Sequence, residues 1–244
     1  MKIFTLNDPI VKDLRRSHPM LQGRKLIGSG QFSGVFEGVT KGTVLKLSID
    51  EASYLFHTDN FLKPSNDQHF TRVTDNFGRV GTFTTSKNIT RTALSNPIEL
   101  QVPIYLYEVE MLHKIPQGTA NHRLAKRLTR DWRTQDSLST CKDLRNRAKD
   151  IARHLRDNAF YQHDNRSVMD AIDEIADFMV GYNEDGAFVD IHGANMMQRE
   201  DGTFVFSDPV GDLRIYNSHY TFRPVASLTT TAISRIRNEL RQAA

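Results

Sequence analysis

A single cysteine, Cys141, in 244 residues excludes an internal disulfide and any zinc site built from several thiolates. Within "STCKD" it reads as an ordinary surface or half-buried thiol. No apolar run approaches the roughly 18 residues that a spanning helix needs, so no membrane partner is expected. The opening "MKIFTLNDPIVKD" reaches Asp8 and Pro9 before any signal-like apolar stretch develops, so no targeting peptide is read and a cytoplasmic location is expected. The nine histidines show no spacing that favours a metal site. No internal repeat and no low-complexity tract is visible.

With 39% hydrophobic and 25% charged residues, the composition is that of a globular protein, long enough for one large domain or two lobes. The net charge of +3 is mild but unevenly spread. Residues 123 to 156 hold eleven Lys or Arg against four Asp. Such a stretch meets acidic partners electrostatically, but it reads first as a solvated helical face. Apart from Trp132 it has almost no aromatics to stack on bases, so direct nucleic-acid binding is the weaker expectation.

Residues 24 to 47, "RKLIGSGQFSGVFEGVTKGTVLKL", predict two strands around a glycine-rich turn, a second turn at "TKG", and a strand ending at Lys46 and Leu47. The turns are ascribed to glycine's freedom at positive φ. "DEASYLFHTDNFL" offers a short helix, and "DNFGRVGTFTTSKN" offers hairpin chemistry. "PIELQVPIYLYEVEMLHKI", residues 97 to 115, predicts a long central strand running into a connector. After Pro116 the texture becomes helical. In "SVMDAIDEIADFMVG", Val168, Ile172, Ile175, Ala176 and Met179 line one face, Ser167 with Asp170 forms a capping pattern, and Gly181 stops the helix. "NMMQREDGTFVFSDP" predicts a hairpin turning at "EDG", which brings Asn195 and Asp208 to the same end.

Four segments carry candidate chemistry. In "GSGQFSG", Gly28 and Gly30 leave N–H groups for phosphate oxygens, Phe32 caps the turn, and Val35 sits where an adenine packs. Lys46, between two leucines, points away from them and either meets a phosphate as a point charge or snorkels from an edge strand. In "DIHGANMM", Asp190 accepts or orients an attacking hydroxyl, while Asn195 and Asp208 supply the hard oxygens that Mg²⁺ requires. His192 is either a phosphate contact or a backbone-bonded turn residue, and Met196 or Met197 lines an adenine floor.

The order Gly28, Gly30, Val35, Lys46, Asp190, Asn195 and Asp208 resembles the eukaryotic-type protein-kinase fold. More narrowly, "LIGSGQFSGVF", "VLKL", "VDIHGANMM" and "FSDPVGD" resemble the early serine/threonine protein kinases of short-tailed bacteriophages, which modify host proteins and help shut off host transcription. The resemblance implies an α+β, two-lobed fold: an N-terminal extension over 1–25, an antiparallel β lobe over 26–112, and a reduced, mainly helical lobe over 113–244. It implies ATP and Mg²⁺ as cofactors, held by Ile27, Gly28, Ser29, Gly30, Gln31, Phe32, Ser33, Val35 and Lys46. Glu110 and Leu112 belong to a hinge, residues 109 to 112, whose backbone faces adenine. Asn195 and Asp208 would be the metal ligands. Glu51 is preferred over Glu108 as the carboxylate partner of Lys46. Host proteins, including transcription or RNA-processing machinery, would be the acceptors, in the cytoplasm of the infected cell.

The departures are specific. Ser33 replaces the third loop glycine, and Phe188 and Val189 precede the catalytic aspartate where many kinases have His and Arg. "Asp208-Pro209-Val210" replaces Asp-Phe-Gly, and His192 replaces a phosphate-steadying lysine. The chain after Asp208 is short for an activation segment and lower helices. A small-molecule phosphotransferase and a non-catalytic host-binding module are the competing readings.

Overall fold

Alternating apolar side chains between residues 26 and 48 build the first three strands of a five-stranded sheet: β1 (Leu26–Ser29), β2 (Ser33–Glu37) and β3 (Thr43–Ser48). The computed structural model describes residues 9–58, 68–87, 98–130, 166–182, 186–212 and 215. β4 (Val73–Lys87) and β5 (Ile98–Glu110) complete the sheet in the order β1-β2-β3-β5-β4, each neighbouring pair antiparallel. β3 is therefore central. Period-two alternation sends Leu45 and Leu47, both 0% exposed, to one face and Lys46 to the other.

The face carrying Leu45 and Leu47 also gathers Phe36, Ile104 and Leu106. Helix α1 (Pro9–Ser17) and a 3₁₀ turn (Pro19–Leu21) cover it with Val11, Leu14 and Leu21. The described part of the expected N-terminal extension is thus built into this core. Each fully buried leucine contributes roughly 1.5–3 kcal/mol. The "DNFGRVG" stretch forms no turn. It lies inside β4, where Gly78 at φ 70° is taken up beside a bulge in the β5 register.

A second apolar cluster joins α2 (Glu51–Thr58), α3 (Ala120–Arg130) and α4 (Arg166–Tyr182) to four short strands, β7 (Ala187–Val189), β8 (Met196–Gln198), β9 (Phe204–Phe206) and β10 (Val210–Asp212). Val168, Ile172, Ile175, Ala176 and Met179 face inward as their spacing requires. Ser167 lies in the first turn of this helix and its Oγ pairs with His69 Nε2 at 2.8 Å, while α4 continues through Gly181 to Tyr182. β10 pairs with β7, and β8 lies between β9 and β6 (His113–Lys114). The β8–β9 hairpin turns at Gly202, φ 86°. The fold is α+β with mostly antiparallel sheets. Of the basic stretch, Arg123, Lys126 and Arg127 lie on α3, and Trp132 and Cys141 fall outside the described residues.

One ion pair ties the end of the large sheet to the hairpin. Arg199, 8% exposed, donates to Glu110 through Nε at 2.9 Å and Nη2 at 2.7 Å, and its remaining donors reach the carbonyls of Gln68 and Phe70. Glu110 also accepts the Arg72 N–H at 2.9 Å. Replacing Arg199 by Met strands a carboxylate and two carbonyls, so Arg199→Met is expected to destabilise by about 3 kcal/mol. Urea denaturation checks this, and adding Glu110→Leu is expected to restore part of the loss.

Candidate functional site

Lys46 leaves β3 on the side of its cross-strand partners, Val35 of β2 and Tyr107 of β5. Its Nζ lies 5.8 Å from the Tyr107 ring centroid and 2.9 Å from Asp208 Oδ2. Asp208 sits just beyond β9, so this contact joins the large sheet to the C-terminal hairpin. Burial, the largest influence, pulls the ammonium down, but Asp208 and Tyr107 together outweigh it and hold Lys46 above the usual lysine range. Burial likewise pushes Asp208 up, but the charge of Lys46 and hydrogen bonds from Lys46 and Ser53 hold it below the usual carboxylate range. Each charge keeps the other ionised.

The loop after β7 carries the second group. Asp190 N–H donates to the Pro209 carbonyl at 2.7 Å, which fixes the loop against the segment after Asp208. Asn195 Nδ2 faces three acceptors: the Asp190 carbonyl at 2.8 Å, Asp190 Oδ2 at 2.9 Å and the Asp208 carbonyl at 2.9 Å. All three are oxygens without protons to give, so the amide nitrogen must point inward and Oδ1 is left for another partner. The hairpin thus brings Asn195 and Asp208 to one end, as the antiparallel pairing requires. His192 Nδ1 accepts the Ala194 N–H at 3.2 Å, which places its proton on Nε2, 3.6 Å from Asp190 Oδ1. Burial pushes Asp190 up to about 6, with the Asp208 charge adding to it and His192 and Asn195 opposing.

Behind the ion pair stand groups that sequence reasoning missed. Ser53, 0% exposed on α2, donates its hydroxyl to Asp208 Oδ1 and lies 3.4 Å from Lys46 Nζ. Asp50 caps α2 by accepting the Ser53 N–H at 2.9 Å, and also accepts the Asp212 N–H of β10 at 3.0 Å. Burial, followed by the charge of Asp208, pushes the Asp50 carboxyl well above its usual range. His57, on the same helix, is pulled down to about 4, first by burial and then by Lys46. The Asp50-x-x-Ser53 spacing is a legible helix start. Nothing in the chain order announces that Ser53 reaches Asp208.

Other expected residues take different roles. Lys46 meets Asp208, and the carboxylate of Glu51 instead accepts the Tyr105 hydroxyl at 2.6 Å. Glu108 accepts the N–H groups of Val39 at 2.6 Å and Thr40 at 2.9 Å, fixing the β2–β3 turn. Gly28 and Gly30 do not adopt positive φ, and the Gly30 N–H is engaged with the Ser33 carbonyl at 2.8 Å. Phe32 packs against the first core, and its carbonyl accepts the Ile49 N–H at 3.1 Å, which anchors the turn near the end of β3. Ile27 remains 54% exposed, while Ser29, Gln31 and Ser33 are partly buried. In the expected hinge, Glu110 N–H bonds the Arg72 carbonyl at 3.0 Å and Met111 N–H the Gly42 carbonyl at 2.9 Å, so these amides hold the sheet together. Leu112 is half-buried. Met196 is core, and Met197 is partly buried on β8.

Asn195 Oδ1 and the Asp208 carboxylate are hard oxygen donors on two residues joined by the Asn195 Nδ2–Asp208 carbonyl hydrogen bond. Among the described residues no group of three His, Cys, Asp or Glu is placed to cage a metal. Mg²⁺ keeps several waters and takes one or two protein oxygens together with substrate phosphates, so this pair fits an ion that arrives with a nucleotide. Fold and site together define an α+β protein in which a buried lysine, two aspartates and an asparagine converge. No family model, curated protein or solved structure matches the chain.

The raised Asp190 gives a pH signature. Its protonated form is favoured in the fold, so its contribution to stability is full below about pH 4 and lost as pH rises through about 6. Asparagine mimics the protonated acid. With 32% of the side chain exposed, Asp190→Asn is expected to match the parent at pH 4 and exceed it by about 1–2 kcal/mol at pH 8. Urea midpoints at the two pH values check this, and a pH-independent difference would remove the perturbed carboxyl.

Proposed function

We propose that this protein is an ATP- and Mg²⁺-dependent phosphotransferase of two-lobed, protein-kinase-like architecture, acting on serine or threonine of host proteins during phage infection. The observation that carries the reading is the meeting of Lys46 with Asp208 at 2.9 Å, while Asn195 bonds both Asp190 and Asp208. Phosphoryl transfer asks little covalent chemistry of a protein. It asks for positioning and for charges placed where charge develops.

Lys46, kept protonated by its surroundings, presents a point charge to phosphate oxygens beside Val35. Asn195 Oδ1 and Asp208 supply the metal oxygens, and the bound Mg²⁺ would neutralise charge on the transferred group. Asp190, pushed up to about 6, is a base matched to neutral pH, where proton transfer from an acceptor hydroxyl is most effective. Asn195 fixes its orientation through Oδ2, and the Nε2–H of His192 steadies the other oxygen. Host proteins, among them transcription or RNA-processing machinery, are the proposed acceptors in the host cytoplasm. Among the described residues no helix is long and apolar enough to cross a membrane.

His192, standing where protein kinases carry a lysine, keeps a small-molecule acceptor as the second reading. With Mg²⁺ and labelled ATP, the protein is expected to transfer phosphate to itself or to a host protein, and Asp190→Ala to lose about 10²- to 10⁴-fold in rate. Host lysate and small alcohols assayed side by side separate the two acceptor classes. Transfer undiminished in Asp190→Ala would strip Asp190 of its role.

A further inference from the structure

Both oxygens of Asp208 already have partners within the chain. Oδ2 meets Lys46 Nζ at 2.9 Å, and Oδ1 accepts the hydroxyl of Ser53. Ser53 is well fixed for this task. It lies in the first turn of α2, its N–H is held by Asp50 at 2.9 Å, and its side chain is fully buried. A hydroxyl has one proton and two lone pairs. The proton goes to Asp208, and a lone pair faces Lys46 Nζ at 3.4 Å. Lysine, serine and aspartate therefore close a three-membered ring in which Ser53 spans helix, strand and hairpin.

We propose that Ser53 is a positioning residue that sets the divalent-cation affinity of Asp208, occupying Oδ1 while Oδ2 faces Lys46, so that a cation must displace its hydroxyl. The inference rests on the phosphotransferase reading and deepens it: α2 contributes to the lysine a neutral acceptor whose own proton restrains the proposed metal-binding carboxylate. With Oδ2 paired to Lys46, Oδ1 is the carboxylate oxygen left for a cation, and the Ser53 hydroxyl is the group that competes for it. Asp50 accepts the N–H groups of both Ser53 and Asp212, which ties α2 to β10. Asp50 thereby holds the backbone of the serine in place.

The test is direct binding of Mn²⁺, followed by electron paramagnetic resonance in the presence of a non-hydrolysable ATP analogue, so that no turnover is needed. Hydrogen bonds to charged groups are among the stronger ones, so Ser53→Ala is expected to lower the Mn²⁺ dissociation constant by roughly ten-fold. Ser53→Cys, with a weak S–H donor, is expected to fall between the two. Circular dichroism confirms that each variant is folded, and the cysteine variant carries the test if the alanine variant is not. Mn²⁺ binding that is unchanged or weaker in the folded variants overturns the role of Ser53 and leaves the phosphotransferase reading standing. A parent protein that binds no Mn²⁺ with the analogue overturns both.

Discussion

A lysine ammonium and an aspartate carboxylate, drawn together at 2.9 Å from opposite ends of the chain, are the constraint around which the site is arranged. Lys46 is 8% exposed, so it has lost most of its hydration and holds its charge because Asp208 is there. Such a pair is weak evidence for stability, because the cost of desolvating two charges rivals their attraction. Well-packed apolar residues would serve the fold as well. The pair makes sense as chemistry: a cation and an oxygen donor stand ready at one point, and Asn195 and Asp190 are bonded to the same segment.

The rest of the structure delivers those groups. The sheet fixes Lys46 through alternation, with Leu45 and Leu47 anchoring the opposite face. The β8–β9 hairpin fixes Asn195 and Asp208 through its register, and Asn195 then organises the Asp190 loop with one amide nitrogen. The Arg199–Glu110 pair locks the hairpin to the end of β5, and the amides expected to face adenine hold the large sheet together. Consequently the site is rigid where sheet and hairpin meet. Its electrostatics pull in two directions, with Asp190 pushed up to about 6 and Asp208 held down, a separation of two nearby carboxyls that suits the distinct roles proposed for them.

Local rules made much of this legible. Period two placed Lys46 opposite its leucines, period 3.6 identified the inner face of α4, and the "EDG" turn brought Asn195 to Asp208. Each of those inferences needs only neighbours in the chain or one turn. What escaped needed distances that local patterns do not encode. Ser53 and Asp208 are 155 residues apart, and a buried serine on a short helix looks like any other. Glu51 was a reasonable partner for Lys46 by proximity in sequence, but Tyr105 lies within its reach and Asp208 takes the ammonium. "DNFG" has the composition of a turn and serves as a bulge, because the long pairing of β4 with β5 outweighs a local preference. The docking of α1 was hidden because a short amphipathic helix does not say which sheet it will cover.

The central claim is that Lys46 and Asp208 act on each other, and a double-mutant cycle in folding free energy measures that directly. Lys46→Met, Asp208→Asn and the double variant would be unfolded with urea at pH 7. A coupling energy of about 2 kcal/mol is predicted, since each single variant leaves the other partner buried without its counter-charge. Effects that add to within about 0.3 kcal/mol would contradict the account, because two groups so placed cannot be independent.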